Sequence, residues 1–555
     1  LNTYNQVYGD TSYGTYLNSS DYQNRGMMFA GANDGMLHAF KLGSLNLPSH
    51  NSAAPICSFV SKDVACLSGT ELGKEVWAFI PKNALPYLKY YADQGYCHIY
   101  SVDLTPYVFD ASIGTGSPDI SNDPKPNDGT TWRTIAIGGM RFGGACKPKN
   151  VNCSTATPDS VCAPTTEASG ASVGFSSYFA LDITVQDTPI LLWEFSDSEL
   201  GFTTTGPSVV KIGTDRNKNG KWFVVFGSGP TGPISADAQQ FLGKSDQPLK
   251  LFAFDLKQGP GTNNTNVIKI PTGIEYAFAG SMLNATHDFN LDYQDDAIYI
   301  PYVKKDPIAG TWTQGGVGRL LTNGSSSPGA SPGGWAWSKV IDNIGPVTSS
   351  VVRLQHKTKK TLWLFFGTGR YYFEQVSTVD DQDGQRHLFG ITEPCFENGA
   401  LSAGCVTSRT IGQLTPVNLA GTSGVSDPEG WYIILDASAG SYRAERVITD
   451  PLSTTTGLVF FTTYKPYNDV CSYGGKSFIW SVKYDTGAAP GALLKGMALL
   501  QVSTGSIEQV NLSTAFTEKG ERRTSALEGV PPTAQGLSLV STPPPVKRTI
   551  HMRER

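Results

Sequence analysis

Short apolar runs, glycine-marked turns and a near absence of long helical patterns predict an all-β chain. Its most economical form is an irregular β-propeller of about seven blades, carrying long loop insertions stapled by disulfides. The composition points the same way. Only 16% of the 555 residues are charged, while 60 Gly and 34 Pro supply turns in abundance.

The apolar runs come in order. Strands are expected at Met27–Ala30, Leu37–Leu42, Val76–Ile80, Thr134–Ile137, Tyr178–Ile183, Ile190–Phe195 and Trp222–Phe226. They continue at Leu251–Asp255, Ala297–Tyr302, Leu362–Phe366, Leu388–Ile391, Trp431–Leu435, Leu458–Thr463 and Phe478–Tyr484, with one short helix at Pro86–Asp93. Two phrases recur at wide, uneven intervals of about one blade plus insertions. The first is an apolar run closing on a glycine turn: FAGANDG (29–35), FGSG (226–229) and FGTG (366–369). The second is an Ala-centred strand: LHAFKL (37–42), FALDI (179–183) and LFAFDL (251–256). Glycines at such places make tight hairpins and let neighbouring blades approach closely. A tandem of β-sandwiches is the second reading. The expected organisation is a lead-in over 1–25, the propeller over 26–512 and a tail over 513–555.

A net charge of −5 argues against nucleic acid or an anionic membrane as the main partner. No apolar run approaches the ~20 residues that span a bilayer. The chain opens at Leu1 without an initiator Met or signal sequence, as expected of a processed product or a fragment. Nine cysteines with no CxxC pair suit an oxidising compartment. Cys57 with Cys66 and Cys395 with Cys405 are the expected staples of small loops. The pairing of Cys97, Cys146, Cys153, Cys162 and Cys471 stays open.

One loop carries chemistry. In Asp288-Phe-Asn290-Leu-Asp292-Tyr-Gln294-Asp-Asp296, side-chain oxygens fall at positions 1, 3, 5 and 9, and the peptide carbonyl of Gln294 supplies position 7. A tightly curled backbone with this spacing aims hard oxygen donors at one Ca²⁺ ion. Carboxylates crowded so closely repel one another unless a cation sits among them. Tyr293 stands where an EF-hand has its turn glycine, and Tyr299 where it has its bidentate glutamate. No helical pattern flanks the loop, so this is a calcium loop set in a β protein.

The phrases GANDGMLHAF (31–40), ELGFTTTGPSVVKI (199–212), KWFVVFGSG (221–229), LFFGTGRYY (364–372), ERVITDPL (445–452) and FFTTYKP (460–466) resemble the PilY1 family of type IV pilus tip-associated proteins. The resemblance runs from Met27 to about Tyr484 and implies a modified β-propeller. Its calcium loop pattern maps onto Asp288, Asn290, Asp292, Gln294 through its carbonyl, and Asp296. It further implies a non-enzymatic protein at the pilus tip, outside the cell, that supports pilus assembly, restrains retraction and attaches to host or abiotic surfaces, with minor pilins as partners. Two departures stand out. Pro301-Tyr302-Val303 replaces a Gly-Asp usual in the strand after the loop, and the von Willebrand A-like region of many members is absent from this chain. No Arg-Gly-Asp occurs either, so integrin binding finds no support.

Other motifs read as structure. GSGPTG (227–232) spells GxGxxG, but Pro230 and Pro233 crowd the turn and no apolar helical face follows, so it reads as a blade turn. GASVG (170–174) matches GxSxG inside a Ser/Gly-rich loop, away from any strand-to-helix elbow. Asp215–Gly220 reads as an Asn-Gly hairpin turn, and Asp380, Asp381 and Asp383 as a solvated one. Seven scattered His residues form no zinc pattern. Two further classes stay in play. A quinoprotein-like propeller dehydrogenase is suggested by GANDGMLHAF together with GKEVW (73–77), although no adjacent cysteine pair is present. A carbohydrate-binding propeller is the third.

Overall fold

The computed structural model describes residues 3–23, 25–46, 66–92, 100–114, 125–143, 176–214, 218–231, 243–283, 286–323, 331–356, 358–370, 384–417, 426–454, 456–466, 475–490 and 495–498. Every apolar run named above is a strand there. Ile190–Phe195 keeps its expected bounds, while Asn219–Gly227, Ala297–Lys304 and Leu458–Pro466 extend beyond theirs.

Among the described residues, six sheets of three to five strands follow in chain order, each of neighbours paired largely in sequence, beside two two-stranded ribbons, Ser44–Asn46 with Cys66–Ser68 and Phe396–Glu397 with Ala400–Leu401. The first holds Met27–Gly31, Leu37–Lys41 and Glu75–Phe79. The second holds Leu104–Ser112, Trp132–Gly139, Tyr178–Asp182 and Ile190–Phe195, and the third Ser208–Thr214, Asn219–Gly227, Lys250–Asp255 and Ile268–Pro271. In the fourth, Ala277–Ala279, Ala297–Lys304, Gln314–Leu321 and Ala336–Asp342 follow one another, and Thr286–His287 also pairs with Ala297–Lys304. The fifth is built on Val352–His356, Thr361–Gly367, His387–Thr392 and Gly430–Ile434, and the sixth on Leu458–Pro466 and Gly475–Lys483. Among the described strands pairing is antiparallel except where Thr415–Pro416 lies parallel to Gly430–Ile434, and two isolated bridges, Ile341 with Arg409 and Val347 with Gly369, are parallel too. The all-β propeller class stands, with six blade sheets among the described residues against about seven expected.

Side-chain alternation explains why these strands read as unbroken apolar runs. Along Ala297–Lys304, Ala297 and Tyr299 face a core shared with the fifth sheet, while Ile298, Ile300 and Tyr302 face a core shared with the third. Along Thr361–Gly367, Leu362, Leu364 and Phe366 turn back to the fourth sheet, and Trp363 and Phe365 turn on to the sixth. In the third sheet, Trp222, Val224 and Phe226 pack on the second, and Phe223 and Val225 on the fourth. A sheet covered on both faces cannot spare alternate positions for polar residues. Each core thus cements one sheet to the next. A wholly buried side chain such as Trp431 gains on the order of 4–5 kcal/mol of transfer free energy there.

The repeated glycine phrases mark the same contacts. A Cβ at Gly227 would collide with Ala279 of the following sheet, and one at Gly367 with Val447 of the following sheet. Only glycine lets the backbones come so near.

Ahead of the sheets the lead-in is helical: α1 (Thr3–Tyr8), α2 (Thr11–Leu17) and α3 (Ser20–Gln23). Asp10 caps α2 by accepting from the Ser12 and Tyr13 amides, and Tyr13 and Tyr16 are buried in the core between the second and third sheets. The expected short helix at Pro86–Asp93 is 3₁₀ as far as Ala92, within the segment Lys82–Ala92, and Asp93 lies outside the described residues. Cys395 and Cys405 form a disulfide, as expected. The buried Arg319 braces that loop by pairing with Glu393 and donating to the carbonyls of Cys405 and Thr407. Cys66 is disulfide-bonded. Cys57, Cys97, Cys146, Cys153, Cys162, Cys471, the 170–174 motif, Asp380, Asp381, Asp383 and the tail over 513–555 lie outside the described residues. Thr214 pairs with Asn219 and Gly213 with Gly220, while 215–217 lie outside the described residues. No helix among the described residues is long and apolar enough to cross a membrane.

Candidate metal centre

The loop 288–296 joins two paired strands of the fourth sheet, where His287 faces Ala297 and the Asp296 amide donates to the His287 carbonyl at 2.7 Å. Its back is stitched to the scaffold. Asp295 exchanges hydrogen bonds with Lys211 of the third sheet, its Oδ2 accepting from the Lys211 amide at 2.6 Å and its amide donating to the Lys211 carbonyl at 2.8 Å. Thr322 donates its hydroxyl to the Asp295 carbonyl at 2.6 Å and its amide to the Asp296 carbonyl at 3.0 Å. The ends of the loop are therefore fixed by β pairing, as the helices fix an EF-hand.

Inside the loop the backbone curls around Asp288. Its Oδ1 accepts from the amides of Leu291 (2.6 Å) and Asp292 (3.2 Å), and its Oδ2 from the amide of Tyr293 (3.0 Å). Asp292 Oδ1 accepts from the Gln294 amide (2.9 Å), Asn290 Nδ2 donates to Asp292 Oδ2 (3.1 Å), and Asp296 Oδ2 accepts from the Phe289 amide (2.8 Å). The curl needs left-handed backbone at Leu291 (φ 62°) and Tyr293 (φ 75°). Neither is glycine, so both conformations are held against an intrinsic cost of about 1 kcal/mol or more each.

Electrostatics mark the loop as short of positive charge. Burial and then the carboxylates of Asp288, Asp292 and Asp295 push Asp296 up to about 7, against the help of the Phe289 amide. Asp292 is raised by desolvation and then by Asp288. His287 beside them cannot supply the charge, because burial, then Arg353 and Lys211, push its imidazole down to about 3.

The structure thus draws Asp288, Asn290, Asp292 and Asp296 into one hydrogen-bonded turn. Among the described residues, no three His, Cys, Asp or Glu side chains are gathered as a ready-made metal cage. The carboxylates face loop amides instead. The donor chemistry nevertheless fits calcium: every expected ligand is a hard oxygen, and the raised Asp292 and Asp296 are carboxyls that a nearby cation would return to the ionised form.

Sequence reasoning missed what stands behind the loop. The Tyr293 ring is fully buried, and its hydroxyl donates to Asp10 Oδ2 at 3.1 Å. Lys125 Nζ reaches the same Asp10 oxygen at 2.5 Å and the Tyr293 hydroxyl at 3.2 Å. Burial first, then Lys211, pushes the Lys125 ammonium down to about 8, although Asp10 opposes this. Tyr8 packs edge-on against Tyr293 at 5.1 Å and donates its hydroxyl to Asp288 Oδ2 at 2.8 Å. Lys211 Nζ lies 3.3 Å from that hydroxyl and over both rings. The one hint in the sequence was the oddity of a tyrosine at the glycine position of the loop.

No family model matches the chain. It is 24% identical over 512 residues to the type IV pilus biogenesis factor PilY1 of Pseudomonas aeruginosa strain PAO1, covering 83% of this chain and 34% of that protein. A PilY1 homolog of Xylella fastidiosa is 24% identical over 490 residues, covering 84% of this chain and 29% of that protein. The chain therefore spans about a third of the length of the curated relatives it matches. The crystal structure of the P. aeruginosa PilY1 C-terminal domain superposes with a TM-score of 0.52 at 20% identity, over 88% of this chain and 84% of that one. That likeness carries the fold.

Proposed function

From the premise that the chain belongs to the PilY1 family, we propose that it is a calcium-responsive propeller of a type IV pilus biogenesis factor. It works outside the cell at the pilus tip and catalyses nothing. Its partners are minor pilins on one side and a host or abiotic surface on the other, and it supports pilus assembly, restrains retraction and aids attachment.

The observation that carries the calcium part of this reading is the loop itself, an oxygen-only donor set whose Asp296 is pushed up to about 7 by burial and neighbouring carboxylates. Asp288, Asn290, Asp292, the Gln294 carbonyl and Asp296 would hold the ion. Bound there, calcium supplies positive charge that relieves carboxylate repulsion. With the loop ends already fixed by strand pairing, an affinity in the range of extracellular modules, a Kd of about 10⁻⁴–10⁻³ M, suffices.

The test is complementation of a piliated strain lacking its own copy. Pili are counted, and the protein is located by immunogold labelling on sheared filaments, with and without millimolar calcium. The reading expects label at filament tips and fewer surface pili with Asp296→Ala at equal protein level. Label along the shaft or in the cytoplasm, or full piliation by the variant at every calcium level, overturns it.

A further inference from the structure

Asp288 is fully committed. Its two carboxylate oxygens take four donors, and three of these are amides of its own loop, at Leu291, Asp292 and Tyr293. The fourth, the Tyr8 hydroxyl, comes from α1, 280 residues away in sequence. A carboxylate with every lone pair engaged must release a donor before it can ligate a cation. The loop amides are held by the curl of the backbone, whereas Tyr8 sits on a separate segment. The Lys211 ammonium of the third sheet holds Tyr8 there, its Nζ 3.3 Å from the hydroxyl and 4.3 Å over the ring.

The segment carrying Tyr8 is poised as a strap. Its far end is pinned: Asp10 is 2% exposed, accepts from Tyr293 and Lys125, and caps α2, while Ser12 Oγ accepts from the Trp132 indole at 2.9 Å. Its near end is held twice: the Tyr4 ring packs on Tyr13, Trp132 and Trp222 at the core, and Tyr8, flanked by Val7, which is 45% exposed, rests on the loop. Tyr4 and Asp10 anchor the segment in the core, and between them the hydrogen bond of Tyr8 to Asp288 is one that a cation can replace.

We propose that Tyr8 of α1 competes with calcium for Asp288: with its hydroxyl seated the loop is closed to the ion, and a loaded loop releases that hydroxyl and loosens the end of α1 that carries it. This rests on the calcium reading above and adds its regulation, because whatever holds or frees the chain ahead of Tyr8 then sets the affinity of the loop.

The test uses the full 555-residue chain, stripped of metal with a chelator, and calcium chloride as the probe. Isothermal titration calorimetry compares the unaltered chain with Tyr8→Phe, which keeps the ring and removes the hydroxyl. Amide hydrogen exchange is followed over 3–17 and 286–297 with and without calcium. The proposal expects Tyr8→Phe to bind calcium about tenfold more tightly, the worth of one hydrogen bond to a charged group. It also expects saturating calcium to speed exchange in α1 of the unaltered chain. Calcium binding by the unaltered chain together with equal or weaker binding by Tyr8→Phe overturns the competition, as does α1 exchange that slows or does not change on loading. No heat from either protein removes the calcium reading itself, and the competition with it.

Discussion

The Tyr293 hydroxyl donates to Asp10 Oδ2 at 3.1 Å, joining the calcium-loop candidate to the N-cap of α2 across 283 residues of sequence. This contact accounts for a tyrosine at a position with φ 75°. The strain of a left-handed tyrosine is outweighed by a buried ring packed on Tyr8 and a hydroxyl shared between Asp10 and Lys125.

Tyr293→Gly supplies the residue an EF-hand has there, yet it is expected to destabilise. Strain relief returns about 1 kcal/mol. Loss of the buried aromatic costs about 3–5 kcal/mol. Urea unfolding should show a net loss of about 2–4 kcal/mol; an unchanged or raised midpoint contradicts the anchoring role.

Gly367→Ala is expected to cost about 2 kcal/mol or more in the same assay, since its Cβ meets Val447 across the junction of the fifth and sixth sheets. Gly334→Ala is the control, with open space around the added methyl and an expected change within about 0.5 kcal/mol. Equal effects of the two would remove the close-approach explanation for the repeated glycine phrases.

Much of this fold was legible because sheets buried on both faces leave unbroken apolar strings such as Ala297–Tyr302 and Leu362–Phe366. Gln314–Leu321 was not read, because its glycines dilute the string; Gly318 is there to make room for the Trp337 ring. Leu104–Ser112 was hidden by Pro106 and by its more mixed exposure. The lead-in carries no apolar period; α2 is helical because Asp10 caps it and the core takes up Tyr13 and Tyr16, and α1 lays Tyr4 against the same core. The ligand spacing of the loop was visible in one line of sequence. The residues that position it, Tyr8, Asp10, Lys125 and Lys211, come from distant segments that no local pattern joins.

Acid should weaken the fold through His387, which lies against Phe389 and Tyr432 beside Arg386. Burial, then Arg386, pushes its imidazole from the ordinary 6.5 down to about 4. Between those values the unfolded chain binds a proton that the folded chain refuses, so this contribution to stability is intact above about pH 6.5 and is lost as pH falls toward 4. Allowing for partial exposure, the loss at pH 5 is about 1 kcal/mol. Urea unfolding at pH 7.5 and 5.0 should show His387→Gln losing less stability on acidification than the unaltered chain; identical losses would sink the assignment.

The most direct measurement is calcium titration of the metal-stripped chain by isothermal calorimetry, beside Asp288→Ala and Asp296→Ala, with circular dichroism to verify that each variant is folded. The account expects one site per chain, a Kd of about 10⁻⁴–10⁻³ M, and loss of binding in both folded variants. Binding that survives both substitutions, or no binding by the unaltered chain, contradicts it.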